Sequence, residues 1–494
     1  MTISNTSSRR LQRALEILPG FVSWNLILFP IWGAFVFPLA VAYFILAFDI
    51  FWLYKSVAIT IASLVSYTRI KASQQLDWMK EVKEFPDWAY VNHLVIITTY
   101  KEPLHTLQRT LRSLASQTCP KASLLVAVGF EHRESSRSRR EKETAIKKEF
   151  AKKFGLFFTT THVDKPGETI GKHSNARSIV LRAKEKLRQN KCNFDYLTVS
   201  SCDADHVYHP QHFAYLTYKF LDSPARYERI WQPAIVFYNN FWKLPSLTRV
   251  ANTFCSIWNT ALLARTDRLV NQQNYSLSWK LLESIDFWDP EVIPEDYRIF
   301  FKAFFKTGGK VEVEPIYLPL SADAAESTSF WRTMINQYEQ FKRWAWGVSD
   351  DPYIIKHFFI SRSISLSNKI IRVFKVLEDH FLWPANWFLI TIGINVVSLL
   401  NPSFSRTVIG YTLPQISSAI LTVCLVFLSF ILIIDAKQRP PRPSWVPRIR
   451  SFLFPLEFVL MPLAGFIFNA LPGLDAHTRL MLGKYIEYRV TEKV

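Results

Sequence analysis

The chain has 494 residues, too many for one ordinary domain, and 49% of them are hydrophobic, which excludes disordered and fibrous proteins. A formal net charge of +18 would favour a nucleic-acid partner in a soluble protein. The long apolar stretches favour anionic lipid head groups instead, so we expect membrane lipids and no nucleic acid as partners.

The basic N-terminus is followed by a long apolar region. The stretch 21–54 carries a single charged residue, Asp49, and far exceeds the ~20 residues that cross a bilayer once. We expect two spans, roughly 20–39 and 40–66, that turn near Pro38. Basic residues flank both ends, so the positive-inside rule predicts a hairpin with both flanks in the cytoplasm.

Short apolar runs alternate with helical patterns between about 70 and 350. This β-α order predicts a mostly parallel sheet with helices on both faces. Ligands bind such sheets at the carboxyl ends of the strands, where Asp203 and Asp205 fall. The expected strands are 94–97, 124–128, 157–158 and 196–199, and the expected helices lie near 103–117, 135–154 and 172–189.

The membrane pattern returns after Asp351. Apolar and basic residues mix over 351–380, which is typical of amphipathic helices in the membrane interface. The stretches 381–400 and 411–434 are candidate spans. A further apolar stretch, 451–471, contains prolines, and a full crossing would place the basic C-terminus outside. We therefore favour a re-entrant or interfacial segment there over a fifth span.

Asp203 and Asp205, one residue apart at a strand end, predict a site for one hard cation. Mg²⁺ or Mn²⁺ keeps positions open for phosphate oxygens and neutralises the charge of a diphosphate leaving group. The alternative is that both are ordinary turn acids. His206 and His209 flank the pair, but hard cations favour oxygen ligands.

Two further motifs follow in a fixed order. Glu295 and Asp296 form an acidic pair, and Gln340, Arg343 and Trp344 form a Q-x-x-R-W motif that precedes the apolar C-terminal region. With the earlier D-x-D, this order resembles the membrane-integrated branch of glycosyltransferase family 2, which contains the cellulose, chitin and hyaluronan synthases.

The resemblance implies a GT-A-like α/β domain in the cytoplasm, inserted between transmembrane helices, and a divalent cation. It implies that Asp296 is the general base and that Asp205 binds the metal. The remaining implied roles are donor binding by Thr98, Tyr100, Glu102, Glu131, Lys172, Asn175 and Asp203, and contact with the acceptor and diphosphate by Glu295, Gln340, Arg343 and Trp344.

The implied organisation has five parts. They are a cytoplasmic tail and transmembrane hairpin (1–69), a catalytic domain (70–350), interfacial helices (351–380), a transmembrane region (381–475) and a cytoplasmic tail (476–494). Within that tail, 488–493 resembles the gating motif of cellulose synthases. The chain departs from the family where the second strand ends, because Glu131 stands where an Asp-rich motif is usual.

The expected function is inverting, metal-dependent transfer of a sugar from a nucleotide-sugar donor, in a bacterial plasma membrane. The expected acceptor is a growing polysaccharide or a membrane-associated acceptor. One alternative is the addition of a single sugar to a lipid. An alternative of another class is a non-catalytic transporter or scaffold with a nucleotide-sensing domain.

Overall fold

The structure is a computed structural model that describes residues 5–487. The described residues form eight strands and nineteen α-helices. The strands are β1 (Asn92–Thr99), β2 (Leu124–Glu131), β3 (Leu156–His162), β4 (Leu197–Asp203), β5 (Val207–Tyr208), β6 (Arg229–Val236), β7 (Tyr275–Ser278) and β8 (Glu312–Ser321). The helices are α1 (Asn5–Val36), α2 (Pro38–Gln75), α3 (Trp78–Val82), α4 (Leu104–Ala115), α5 (Ser136–Phe150), α6 (Lys172–Gln189), α7 (His212–Asp222), α8 (Ser246–Leu262), α9 (Trp279–Ser284), α10 (Glu295–Lys306), α11 (Phe330–Ala345), α12 (Asp351–Ile360), α13 (Leu366–Phe388), α14 (Ile394–Leu400), α15 (Pro402–Ser405), α16 (Val408–Gln438), α17 (Arg448–Leu453), α18 (Met461–Gly465) and α19 (Leu471–Met481).

One half of the sheet consists of the four predicted strands. They lie in the order β3-β2-β1-β4, and every pair of neighbours is parallel. The core of β1, from Leu94 to Ile97, is fully buried because helices cover both faces, and such strands are continuous apolar runs rather than alternating ones. The predicted α/β fold with helices on both faces is confirmed.

The other half of the sheet is mixed. β7 pairs antiparallel with both β4 and β6, β6 pairs parallel with β8, and β5 closes the edge antiparallel to β8. Strand β7 has only four residues, and two of them are serines. Its sequence therefore carried no apolar run from which a strand could be predicted.

Five helical stretches within residues 5–487 are long and apolar enough to cross a membrane. The first two, α1 and α2, are separated only by Phe37, where the turn of the hairpin is expected. Ala34, Val41 and Ile45 of this pair form a buried cluster with Ala385 and Leu389 of the C-terminal region. The five stretches are Arg9–Val36, Pro38–Gln75, Leu366–Leu400, Val408–Gln438 and Arg448–Met481.

Helix α2 does not end at the membrane. It continues beyond the expected span end at 66 and the domain boundary at 69, as far as Gln75. Ile70 is part of the main hydrophobic core of the α/β domain, and Arg69 donates to the Tyr317 hydroxyl over 2.7 Å. One continuous helix therefore joins the apolar hairpin to the sheet.

Two features of the structure concern the stretch 351–380, whose interfacial location stays a prediction. No helix ends at 380, because α13 runs through that position to Phe388. The basic residues of this stretch also contact protein: Lys375 forms an ion pair with Asp267, and Arg372 donates to the carbonyl of Thr266 over 3.0 Å. Their partners lie on the loop after α8. The local sequence pattern could not predict these contacts, because the two segments are about 100 residues apart.

The last apolar stretch, Arg448–Met481, lies against the α/β domain along much of its length. Phe454 packs on Phe241 with ring centroids 5.6 Å apart, and Phe458 packs on Phe254 at 6.0 Å. Further on, Asp475 forms an ion pair with Lys342 at 3.4 Å. One side of this stretch therefore packs on the α/β domain, while Phe452, Leu456 and Val459 remain exposed, and the prediction of an interfacial segment stays a prediction.

Candidate active site

The acids of the D-x-D motif lie at the carboxyl end of β4. Asp203 is the last residue of the strand and is aligned with Thr98 of β1. Asp205 is nearly inaccessible, with 3% exposure, and its Oδ2 accepts a hydrogen bond of 2.9 Å from the backbone N–H of Asp323. The strand thus runs four residues past the predicted end at 199, and both acids lie at the edge of the sheet where ligands bind.

The same turn offers a set of ligand atoms suited to a cation. One atom each from Asp203, Asp205 and His206 lie within 4.8 Å of one another. Two carboxylates provide the hard oxygen ligands that Mg²⁺ or Mn²⁺ prefers. His206 lies with the two acids, although the sequence analysis favoured oxygen ligands over histidine at this site.

Lys172, the first residue of α6, connects two of the predicted motifs. Its Nζ lies 2.7 Å from Asp203 Oδ1 and 3.5 Å from Glu295 Oε1, and it donates to the carbonyl of Gln273 over 2.7 Å. Burial lowers the pKa of this ammonium, but Asp203 and Glu295 outweigh that effect and raise the pKa above its usual value. A permanent positive charge thus lies between the two acidic motifs.

Glu295 and Asp296 begin α10. Asp296 accepts 2.9–3.0 Å hydrogen bonds from the backbone N–H groups of Gln273 and Tyr297, which fixes the orientation of its carboxylate. Burial raises the pKa of Glu295 to about 7, with Asp296 and Asp203 adding to this effect against Lys172. Burial also raises the pKa of Asp296. An acid whose pKa lies near neutrality is suited to accept a proton from a hydroxyl.

The loop after β1 is held by its own glutamate. Glu102 accepts from the Thr99 hydroxyl over 2.7 Å and from the backbone N–H of Tyr100. Burial raises the pKa of Glu102 to about 7, and the nearby charge of Asp205 adds to the shift. Glu102 therefore shapes the loop that carries Tyr100, and it lies close to the D-x-D turn.

Glu131 ends β2 inside a cluster of charges. Its Oε2 lies 3.2 Å from both Arg133 and His162, and the guanidinium of Arg133 lies 4.9 Å from the centre of the Tyr100 ring. Glu131, His162 and Asp164 are also close enough to share a cation. The cluster combines a carboxylate, a guanidinium and an aromatic face. We use "the cleft" for the region between the D-x-D turn, Lys172 and the acidic pair, and this cluster is assigned to one end of it.

Asn175 is buried beneath the cleft. Its amide donates to the carbonyl of Gly129 over 3.0 Å, and only 1% of the residue is exposed. A side chain at Gly129 would collide with Asn175 and Ile179. The structure thus places Asn175 in the contact between α6 and β2, one turn from Lys172, where it orients the start of the helix.

The Q-x-x-R-W motif lies at the end of α11. Trp344 packs on Phe341 at 4.9 Å and on Phe237 at 5.8 Å. Phe237 leads into Asn239, whose amide donates to the carbonyl of Asp205 over 3.1 Å. Gln340 is buried, accepts from Gln337 over 3.2 Å and lies one turn before Arg343 and Trp344 on the same helix.

The structure adds residues that the sequence analysis missed. Asp323 contacts Asp205 through its backbone, and its carboxylate binds Arg109 of α4 at 2.6 Å. On α10, Arg298 donates to the fully buried Asp350 over 2.8 Å. Asp323 lies two residues beyond β8, so an acid just after a strand was the available signal. It was lost because β8 itself had not been predicted.

Comparisons with known proteins agree with this site. A family model described as "Glycosyl transferase family group 2" matches residues 199–434, less than half of the chain, and the matched part contains both acidic motifs and Q-x-x-R-W. With the fold, this match defines a glycosyltransferase enzyme. It does not distinguish the branch of the cellulose, chitin and hyaluronan synthases from others.

Two of the solved structures that are similar to this chain contain a nucleotide or a nucleotide sugar. One is the mannosyltransferase PcManGT from Pyrobaculum calidifontis in complex with GDP-Man and Mn²⁺, at 13% identity, over 77% of this chain and 99% of that chain, with a TM-score of 0.42. The other is S. aureus TarS 1-349 in complex with UDP, at 13% identity, over 72% and 94% of the two chains, with a TM-score of 0.36. No curated protein matches the chain.

Proposed function

We propose that this glycosyltransferase moves a sugar, with inversion, from a nucleotide-sugar donor to a growing polysaccharide or another membrane-associated acceptor. One observation carries the proposal: Lys172 contacts both Asp203 and Glu295, so motifs far apart in the sequence form one acidic cleft at the carboxyl edge of the sheet. Acids that only form turns would not be expected to contact the same buried ammonium group, that of Lys172.

In the proposed reaction, one group of residues binds the cation and another residue accepts the proton. Asp203, Asp205 and His206 would hold a divalent cation, which supplies positive charge to the leaving diphosphate. Asp296 takes the proton of the acceptor hydroxyl, whose oxygen forms a bond to the anomeric carbon. The bond from that carbon to the diphosphate breaks, and the diphosphate keeps the electron pair. Because the displacement is direct, no covalent enzyme intermediate forms.

The remaining residues bind and orient. Lys172 holds Asp203 and Glu295 in place, and Tyr100 with Glu131 forms the end of the cleft proposed for the nucleotide base. Arg343 suits a diphosphate because a guanidinium offers paired donors to phosphate oxygens. Trp344, with Gln340 on the same helix, provides a face for the acceptor sugar.

The proposed location is a bacterial plasma membrane with the α/β domain in the cytoplasm. The basic flanks of the apolar hairpin support this orientation. Transfer of a single sugar to a lipid remains the second candidate, because the described membrane helices are few. The C-terminal motif 488–493, which favours the polysaccharide, lies outside the described residues.

The test is release of nucleoside diphosphate by the full chain in lipid, with a panel of nucleotide sugars, Mn²⁺ or Mg²⁺, and membrane extract as the source of acceptor. Asp296→Asn should lower the rate about 10²–10⁴-fold, the usual contribution of a general base. Asp195→Asn is the matched control, because Asp195 is exposed and pairs only with Lys280 at 3.0 Å. No release with any donor would refute enzymatic sugar transfer.

A transporter or scaffold would behave differently. Its nucleotide-dependent function should survive Asp296→Asn, which keeps the size of the side chain but removes its charge and one of the two oxygens that accept backbone hydrogen bonds. Equal function of Asp296→Asn and wild-type protein, with no turnover of any donor, would therefore favour the non-catalytic alternative.

A further inference from the structure

A cavity of about 400 Å³ opens where two apolar helices meet the α/β domain. This volume lies within the range of small-ligand sites, ~300–1,000 Å³. We call it the junction cavity. Its polar lining consists of Lys71 and Gln74 from α2, Gln438 from the end of α16, and Tyr238, Asn239 and Ser321 from the edge of the sheet.

The chemistry of the lining suits an anionic, hydroxyl-bearing group. Lys71 is its one charged residue, and the amides and the serine can donate or accept hydrogen bonds. Arg439, just after α16, forms an ion pair with the buried Asp435, so Lys71 supplies the positive charge of the cavity lining. Ile70, Pro319 and Pro440 complete the lining with apolar surface, which fits a ligand with a polar head and an apolar continuation.

The cavity shares a wall with the proposed metal turn. The amide of Asn239 donates to the carbonyl of Asp205 over 3.1 Å and to that of Ser321 over 3.3 Å. Asn239 therefore faces the cavity and also holds the backbone of the D-x-D turn. A group bound here would lie next to the turn that binds the donor.

The helices that form the cavity also offer a path for an apolar chain. On α2, Ile61 and Leu64 are exposed by 58% and 52%, and they lie ten and seven residues before Lys71. The spacing of seven places Leu64 on the same face of the helix as Lys71, and Ile61 lies beside Leu64, three residues earlier. On α16, Phe430 and Ile433 are also exposed and precede Gln438.

We propose that the junction cavity binds the phosphate-bearing head group of a lipid, with the acyl or prenyl chain lying along α2 and α16. This inference rests on the proposed function in that the lipid would be the acceptor or its carrier, delivered beside the metal turn. A free phosphate compound shares the head-group chemistry but gains nothing from the exposed apolar residues. The geometry therefore favours a lipid.

The test measures lipid binding and needs no donor. The full chain is reconstituted in phosphatidylcholine vesicles that contain a photoreactive phosphatidic acid, and mass spectrometry locates the cross-links. Cross-links should concentrate on peptides around Lys71 and Gln438. Lys71→Glu should lower their yield about tenfold, the effect expected for loss of one charge-assisted hydrogen bond.

Two further variants keep the result interpretable. Gln74→Trp fills the cavity without changing charge and should also reduce the cross-links. Lys437→Glu makes the same charge change at an exposed site beside the cavity and should leave the yield unchanged. Thermal unfolding of each variant verifies that it is folded.

Three outcomes would overturn the proposal. They are cross-links spread evenly over the apolar helices, equal losses in Lys71→Glu and Lys437→Glu, and full displacement of the probe by an equal concentration of glycerol 3-phosphate. The first two mean unspecific attraction of anionic lipid, and the third means a soluble ligand. Failure of every sugar donor would refute the proposed enzymatic function and leave this binding result intact.

Discussion

Gly129→Ala should displace the helix that carries Lys172. A Cβ at this position would lie 2.7 Å from Ile179 Cγ1, and closer still to Asn175 Oδ1 and Ile179 Cδ1. The favourable separation of two non-bonded carbon atoms is about 3.5–4.0 Å. To restore it, α6 must move away from β2 by about 1 Å. Overpacking of this kind costs about 1–3 kcal/mol.

The functional consequence should be larger than the loss of stability. Lys172 contacts Asp203 at 2.7 Å, and a 1 Å misplacement in an active site can cost about 10²-fold in rate. The assay is steady-state release of nucleoside diphosphate over a range of donor concentrations, together with thermal unfolding of the same preparations. We expect a lower kcat/KM for the donor and a lower unfolding temperature.

Gly347→Ala is the matched control. Its added Cβ would meet His380 Nε2 at 3.6 Å, which is an ordinary contact, so both activity and unfolding temperature should remain near wild type. If Gly129→Ala retained wild-type kcat/KM and stability, the close packing of α6 on β2 would not position Lys172, and our explanation of the cleft would be wrong.

Three more predictions concern charge. The transfer rate should fall as the pH drops below about 7. Burial raises the pKa of Glu295 to about 7, and its protonation removes negative charge beside Asp296. A rate that stays constant from about pH 6 to 8 would contradict this prediction. Arg298→Met should destabilise the fold by about 3–5 kcal/mol in thermal unfolding, because it leaves the buried Asp350 unpaired, whereas Arg137→Ala, which breaks a pair with an exposed partner, should cost less than about 1 kcal/mol. EDTA should stop release of nucleoside diphosphate, and Mn²⁺ or Mg²⁺ should restore it; undiminished activity in EDTA would refute a cation at the D-x-D turn.

The parallel half of the sheet could be predicted because β1, β2 and β4 contain buried apolar runs and helices alternate with β1, β2 and β3; β3 is mostly half-buried and was marked only by Phe157 and Phe158. The mixed half could not. Strand β5 has two residues and β7 has four, and their pairing with β8 and β6 joins residues that are far apart in the chain. Local sequence patterns contain no information on such contacts.

The proximity of some site residues could be predicted where a motif carries its own chemistry, whereas their roles stay predictions. Asp203, Lys172 and Glu295 were predicted to lie in one site, and they are in contact. Asp323 was missed because it contacts Asp205 from the unpredicted half of the sheet. Arg109 of α4 was missed because its contacts, with the Asp323 carboxylate and with the Asp205 carbonyl at 3.4 Å, leave no local sequence pattern. Asn175 was predicted at the donor and lies buried beneath the cleft, because a side chain's direction depends on how its helix packs.

Helix α2 is a single continuous rod between the apolar helices and the α/β domain. Its 38 residues at ~1.5 Å each give a rod of roughly 57 Å, with one end among the apolar helices and the other fixed in the core of the α/β domain through Ile70. Because the helix is continuous from Pro38 to Gln75, its length sets the distance between the apolar helices and the core of the α/β domain. A tilt of its apolar end would therefore be transmitted directly to the sheet.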